Sequence, residues 1–191
     1  MQESIIKIIN QSADNFYNIS IDKDLIAQIN KVVELIVNAF NHNNKLLLCG
    51  NGGSAADAQH IAAELSGKFL KERKALFAEA LHVNTSFITA VANDYGFENT
   101  YSRMIEAAGR DGDVLIALST SGKSSNVLNA IKKANEIGMV TIGLTGIDGD
   151  VMRDICHHNI VIPINNTARI QEAHILIGHV ICQLVEEKLF D

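Results

Sequence analysis

His60 and Glu64 stand four residues apart in the segment CGNGGSAADAQHIAAELSGKF (49–69), so on a helix both project from one face, with Asp57 a turn before His60 on the same side. Alanines, Ile61 and Leu65 surround them, and a partly buried imidazole–carboxylate pair needs a partner, a metal ion or a substrate. On an exposed face the same spacing makes an ordinary surface pair. The helix carrying them follows GNGGS (50–54). Its glycines admit positive φ and close backbone approach, so the N–H groups around Asn51, Gly52, Gly53 and Ser54 can converge on an anion at a helix N-terminus.

A second loop of this kind, STSGKSS (119–125), adds the hydroxyls of Ser119, Thr120, Ser121 and Ser124. Either loop alone also reads as a turn with helix caps. Two at equivalent strand ends argue for a cradle, and a small dianion such as a phosphate monoester suits it. Lys123 follows Gly122 without the GxxxxGK[ST] spacing, and GNGGSA lacks the third glycine of G-x-G-x-x-G, so ATP and NAD are disfavoured.

Near the C-terminus, Gln171, His174 and His179 interrupt an otherwise apolar helix, ARIQEAHILIGHVICQLVEEKL (168–189). Gln171 and His179 are eight residues apart, ~80° around the axis and ~12 Å along it. They reach one point from the same side or serve sites in two subunits; His179 taken alone also fits a satisfied core histidine, as His174 does.

Elements must hold these groups in place. Apolar residues at helical spacing give two amphipathic helices over about 1–42. Strands follow at 45–50, 76–83, 113–119, 139–145 and 159–164, alternating with helices at 54–66, 86–107, 124–137, 148–156 and 168–188. About five short apolar strands alternating with helices imply an α/β three-layer sandwich with a parallel sheet, flavodoxin-like but without a nucleotide site, preceded by two N-terminal helices. Residues 1–191 then form one domain, with 1–42 as its helical extension. The segments LLLCGNGGSAADAQHIA and LIALSTSGKSSNVLNAI resemble each other as two βα units, and both loops lie where ligands bind in open parallel sheets.

Composition limits the partners. The chain has 191 residues, is 47% hydrophobic and carries a net charge of −6, with Lys and Arg scattered, which speaks against a nucleic-acid face. Cys49, Cys156 and Cys182 are odd in number and embedded in apolar runs, as expected of reduced thiols in the cytoplasm. No signal peptide and no membrane-spanning run is expected.

Taken together, CGNGGSAADAQHIAAELSGKF, ANDYGF, STSGKSSNV and ARIQEAHILIGH resemble the phosphoheptose isomerases of the sugar isomerase (SIS) domain superfamily, over nearly the whole chain. The resemblance implies an intramolecular oxidoreductase that interconverts sedoheptulose 7-phosphate and D-glycero-D-manno-heptose 7-phosphate. That is the first step toward nucleotide-activated heptose for lipopolysaccharide core or capsule. It implies a homotetramer with active sites between subunits and one Zn²⁺ per subunit. Substrate contacts would come from Asn51, Gly52, Gly53, Ser54, Glu64, Asn93, Asp94, Ser119, Thr120, Ser121, Ser124 and Gln171, and metal ligands from His60, Glu64, Gln171 and His179. Glu64 would act as the base and His179 would move protons between oxygens, through a cis-enediol.

Three positions depart from the family pattern: Lys68 stands where many members have Arg, Asn84 where Asp is common, and Ala168 where some have Asp. The rival reading is a non-enzymatic SIS-domain tetramer that binds a replication initiator protein, with similar NGxSAAxAQH and ARIQE segments. Positions 64 and 179 are typically not Glu and His in that group; here both are kept. SIS-domain repressors form a third class, but the 191 residues read as the SIS domain alone and a DNA-binding region is not expected among them.

Overall fold

The runs LLLCG and VLIALS are buried at every residue, which requires a sheet covered on both faces. The computed structural model, which describes residues 1–191, has that sheet. Strands β1 (Leu46–Gly50), β2 (Ala78–Ala80), β3 (Val114–Ser119), β4 (Val140–Gly146) and β5 (His158–Ile162) pair in parallel in the order β2-β1-β3-β4-β5. Leu46 and Leu48 of β1 join one core with the terminal helices; Leu47 and Cys49 join the other. Alternate side chains of one strand thus feed two layers.

Helices α1 (Gln2–Ile21), α2 (Lys23–Asn41), α3 (Gly53–Ser66) and α8 (Thr167–Phe190) cover the first face. On the second lie α5 (Thr100–Ala108), α6 (Ser125–Ile137) and the short α7 (Asp150–Arg153), with α4 (Thr85–Tyr95) leading into α5. Asp22 starts α2 by accepting from Asp24 N and Leu25 N at 3.1 and 3.0 Å. The two leading helices are where the apolar spacing puts them, yet Ile5, Ile6, Ile8 and Ile9 of α1 are exposed.

Two elements are much shorter than the sequence reading has them: β2, and the helix expected near 148–156, which spans only Asp150–Arg153. Expected over 76–83, β2 has only three residues. Leu46 N still donates to Phe77 O and Leu81 N to Leu48 O, but Val83 N turns back to Ala80 O and ends the strand. The helical stretches expected through 86–107 are α4 and α5, separated at Gly96 (φ +87°) by a 3-10 turn (Phe97–Asn99).

At the amino edge of the sheet, Asp113 precedes β3 and is buried. Its carboxylate accepts from Lys45 N (3.0 Å), Lys45 Nζ (2.6 Å) and Arg110 N (2.8 Å). At the carboxyl edge, Gly50 is level with Leu118, and Ser119 with Thr145. The loops leaving β1 and β3 therefore emerge side by side, at the point where the strand order reverses direction.

Candidate active site

Both loops begin helices that have no side-chain cap, α3 at Gly52 and α6 at Ser124. Gly52 has φ +56°, and a Cβ there would meet nothing within 4 Å. Gly50 is glycine for another reason, because a Cβ would lie 2.6 Å from Ser54 O, where the chain folds back over the strand end. The buried Tyr101 hydroxyl donates to Gly50 O, and burial raises the pKa of its phenol. In the second loop Ser119 Oγ lies 3.2 Å from Ser124 Oγ, and Ser121 Oγ accepts from Lys123 N at 3.2 Å.

One side-chain pair joins the two loops. Asn51 Nδ2 donates to Asn126 Oδ1 at 2.8 Å, and Asn126 Nδ2 donates back to Asn51 Oδ1 at 2.9 Å. Asn126 Oδ1 also accepts from Val127 N at 3.0 Å and is buried. The Asn51 amide, expected to face the substrate, is thus engaged in holding the cradle's halves together. Asn126→Ala leaves those partners unpaired and is expected to lower stability by about 1–3 kcal/mol in denaturant unfolding. A midpoint unchanged from wild type would contradict the bridge.

Further along α3, His60, Glu64 and His179 come together, with one ligand atom from each within 4.8 Å of the others. His60 Nε2 is 3.0 Å from Glu64 Oε1 and 3.3 Å from His179 Nε2, and the two rings meet edge to face with centroids 4.9 Å apart. The side chains are reachable from solvent, His60 at 48% and Glu64 at 24% exposure. Asp57, a turn earlier, has Oδ2 buried without a partner; burial raises the pKa of its carboxyl, and His60 pulls it back down.

Helices α3 and α8 run side by side in the same direction, and this makes the cluster. Gly178 is packed so closely on Ile61 that a Cβ would lie 2.5 Å from its Cδ1. Gln171 lies over Gly53, whose Cβ would be 2.4 Å from Nε2. Since Gly53 and His60 are seven residues apart on α3, Gln171 stands ~10 Å along the axis from the triad within the chain. His174 is fully buried, and burial pushes its imidazole down to about 4, so it is a neutral core residue.

Asn93 and Asp94 are at the exposed C-terminal end of α4, joined to each other at 2.8 Å and hydrogen-bonded to neither loop. The departures sit at undemanding places. Asn84 caps α4 by accepting from Phe87 N at 3.0 Å, a task Asp performs equally. Lys68 pairs with Glu72 on the surface, and Ala168 is exposed in the first turn of α8. An open groove of about 570 Å³ lies on another side of α3 beside Gln59, Ala63 and Phe77 and holds none of these groups.

Two imidazole nitrogens and a carboxylate oxygen converging on one point form a donor set that suits Zn²⁺. Sequence reasoning missed Asn126, although it stands inside the STSGKSSNV motif; a polar residue at a core-facing helix position was the available signal. Tyr101 gave no signal, because its role depends on where α5 packs.

The chain is similar to known proteins in sequence and in fold. A family model described as SIS domain matches residues 17–146. Phosphoheptose isomerase 1 of Campylobacter jejuni is 56% identical over 85% of this chain and 88% of its own length. Phosphoheptose isomerase of Rhodospirillum rubrum is 49% identical over 99% of both. The structure of phosphoheptose isomerase GmhA from Neisseria gonorrhoeae superposes with a TM-score of 0.91 at 40% identity, covering 97% of this chain and 98% of that one.

Proposed function

The chain belongs to the SIS domain family and, like the phosphoheptose isomerases it matches, is an isomerase; from that premise we propose that it interconverts sedoheptulose 7-phosphate and D-glycero-D-manno-heptose 7-phosphate. The observation that carries this reading is the convergence of His60, Glu64 and His179 on a helix that begins at a glycine-rich anion loop.

The phosphate binds at the starts of α3 and α6, to backbone N–H groups around Gly52 and Gly53 and to the hydroxyls of Ser119, Thr120, Ser121 and Ser124. Asn93, Asp94 and Gln171 contact the sugar. Glu64 Oε1 is taken by His60, while Oε2 has no protein partner and accepts the C1 proton of the open-chain ketose. Loss of that proton leaves the enediolate, which is the cis-enediol once its C2 oxygen is protonated. The same carboxyl returns the proton to C2, and His179 carries a proton from O1 to O2, which leaves the aldose with its carbonyl at C1. His60, Glu64, His179 and Gln171 would hold a zinc ion whose Lewis acidity favours charge on the carbonyl oxygens.

Gln171 reaches that ligand set from a second subunit, since its own protomer places it over Gly53. The exposed isoleucines of α1 supply apolar surface for contacts between subunits in the proposed tetramer. Cys49, Cys156 and Cys182 are all unpaired, which suits a reducing cytoplasm; the reaction would stand at the head of activated-heptose synthesis.

The test is conversion of sedoheptulose 7-phosphate by purified protein with its metal content assayed. We expect the aldose phosphate to form and about one zinc per chain to be present. No conversion by folded, zinc-replete protein would overturn the reading in favour of a non-enzymatic binding tetramer.

A further inference from the structure

Glu186 lies seven residues beyond His179, on the same face of α8, and pairs with Arg73 at 2.8 Å with both side chains 1% exposed. Its carboxylate is fully used. Oε1 accepts from Phe69 N (3.2 Å) and Arg73 Nε (2.8 Å), and Oε2 accepts from Leu70 N (2.7 Å) and Lys71 N (2.9 Å). Burial alone would raise its pKa, but these donors outweigh burial and hold the carboxyl below the usual range, so the group is ionised at neutral pH.

Arg73 extends the clamp to the end of α3. Its Nη1 donates to Leu65 O (2.9 Å), Gly67 O (3.2 Å) and Lys74 O (3.1 Å), and its Nη2 to the backbone carbonyl of Glu64 (2.9 Å). Residues 67–77 have no helix or strand of their own, so this ion pair supplies the order that hydrogen-bonded ladders supply elsewhere. A buried ion pair gives little net stability over apolar residues of similar volume, so its presence calls for a reason beyond stability. One is visible at Phe69. The backbone N–H of this residue is bound by Glu186, and its ring stacks on His179 with centroids 5.7 Å apart and planes 29° apart.

We propose that Phe69 is a positioning residue for His179: seated by the Glu186–Arg73 clamp, its ring fixes the imidazole plane so that Nε2 faces His60 and Glu64. This rests on the isomerase reading, in which His179 handles protons on the substrate oxygens. Phe69 touches no reacting atom. Without it, His179 turns about its side-chain torsions, and the 3.3 Å approach to His60 is one orientation among several.

The experiment compares Phe69→Leu, Phe69→Tyr and wild type for kcat, KM, melting temperature and the NMR resonances of the His179 ring in metal-free protein. Phe69→Leu is expected to lower kcat about tenfold with KM changed less than about twofold, because only the orientation of an acting group is lost. The His179 ring protons should lose their ring-current shift. Phe69→Tyr, which keeps the ring, should restore both. Wild-type kcat in Phe69→Leu, unchanged His179 resonances, or a kcat loss that Tyr does not rescue would each overturn the inference. A wild type without isomerase activity would sink the functional reading instead, and the resonances would still decide whether Phe69 orients His179.

Discussion

Glu64→Gln is expected to reduce kcat for the ketose-to-aldose conversion by about 10²–10⁴-fold while KM and melting temperature stay near wild type. Glutamine has nearly the same shape, and its carbonyl oxygen can take the place of Oε1 beside His60 Nε2, now at 3.0 Å. The amide cannot accept the C1 proton. At 24% exposure the side chain is not buried enough for an unpaired amide to cost much stability. Steady-state kinetics and exchange of the C1 hydrogen with solvent deuterium provide the check, and both should fall together. A mutant within about tenfold of wild type, below the usual contribution of a general base, would move that role elsewhere, and Asp57, a turn before His60 on α3, would be the next carboxylate to test.

Gly122→Ala is expected to raise KM for the sugar phosphate more than about tenfold, with a smaller change in kcat at saturation, because the cradle binds ground state and transition state alike. Two effects combine. Gly122 has φ +62°, a conformation that costs an L-residue about 1–2 kcal/mol. A Cβ would also lie 2.5 Å from Gly149 Cα and 3.0 Å from Gly149 O, so the obstacle is backbone, with no side chain to rotate away. The loop holding Ser119, Thr120, Ser121 and Ser124 has to move. A KM unchanged from wild type in Gly122→Ala would refute the account.

Much of this architecture is legible in the sequence because its signals are local. The runs LLLCG and VLIALS are apolar throughout and end in glycine or serine, so strands, buried faces and cradle loops follow from a few neighbouring residues. His60 and Glu64 meet because helical spacing alone brings them together. His179 is different: its arrival depends on α8 running beside α3 at the separation Gly178 allows, and no periodicity encodes that. Phe69 and Glu186 were harder still, since they lie 117 residues apart and the contact involves a segment without regular structure. Gln171 was open between one site and two from its spacing, and the single chain sets it over the cradle.

Asp113, with its Lys45 and Arg110 donors, stands at the opposite end of the sheet from the glycine and serine loops. The molecule therefore has a division of labour between its two rims. One rim is riveted by a buried charge whose loss is paid in stability; the other is left with short side chains and free N–H groups whose loss is paid in affinity. Changes at the riveted rim should alter how much protein survives and leave the survivors' chemistry alone. Sequence drift in such a chain is filtered by two separate tests, and a variant that fails one can still pass the other.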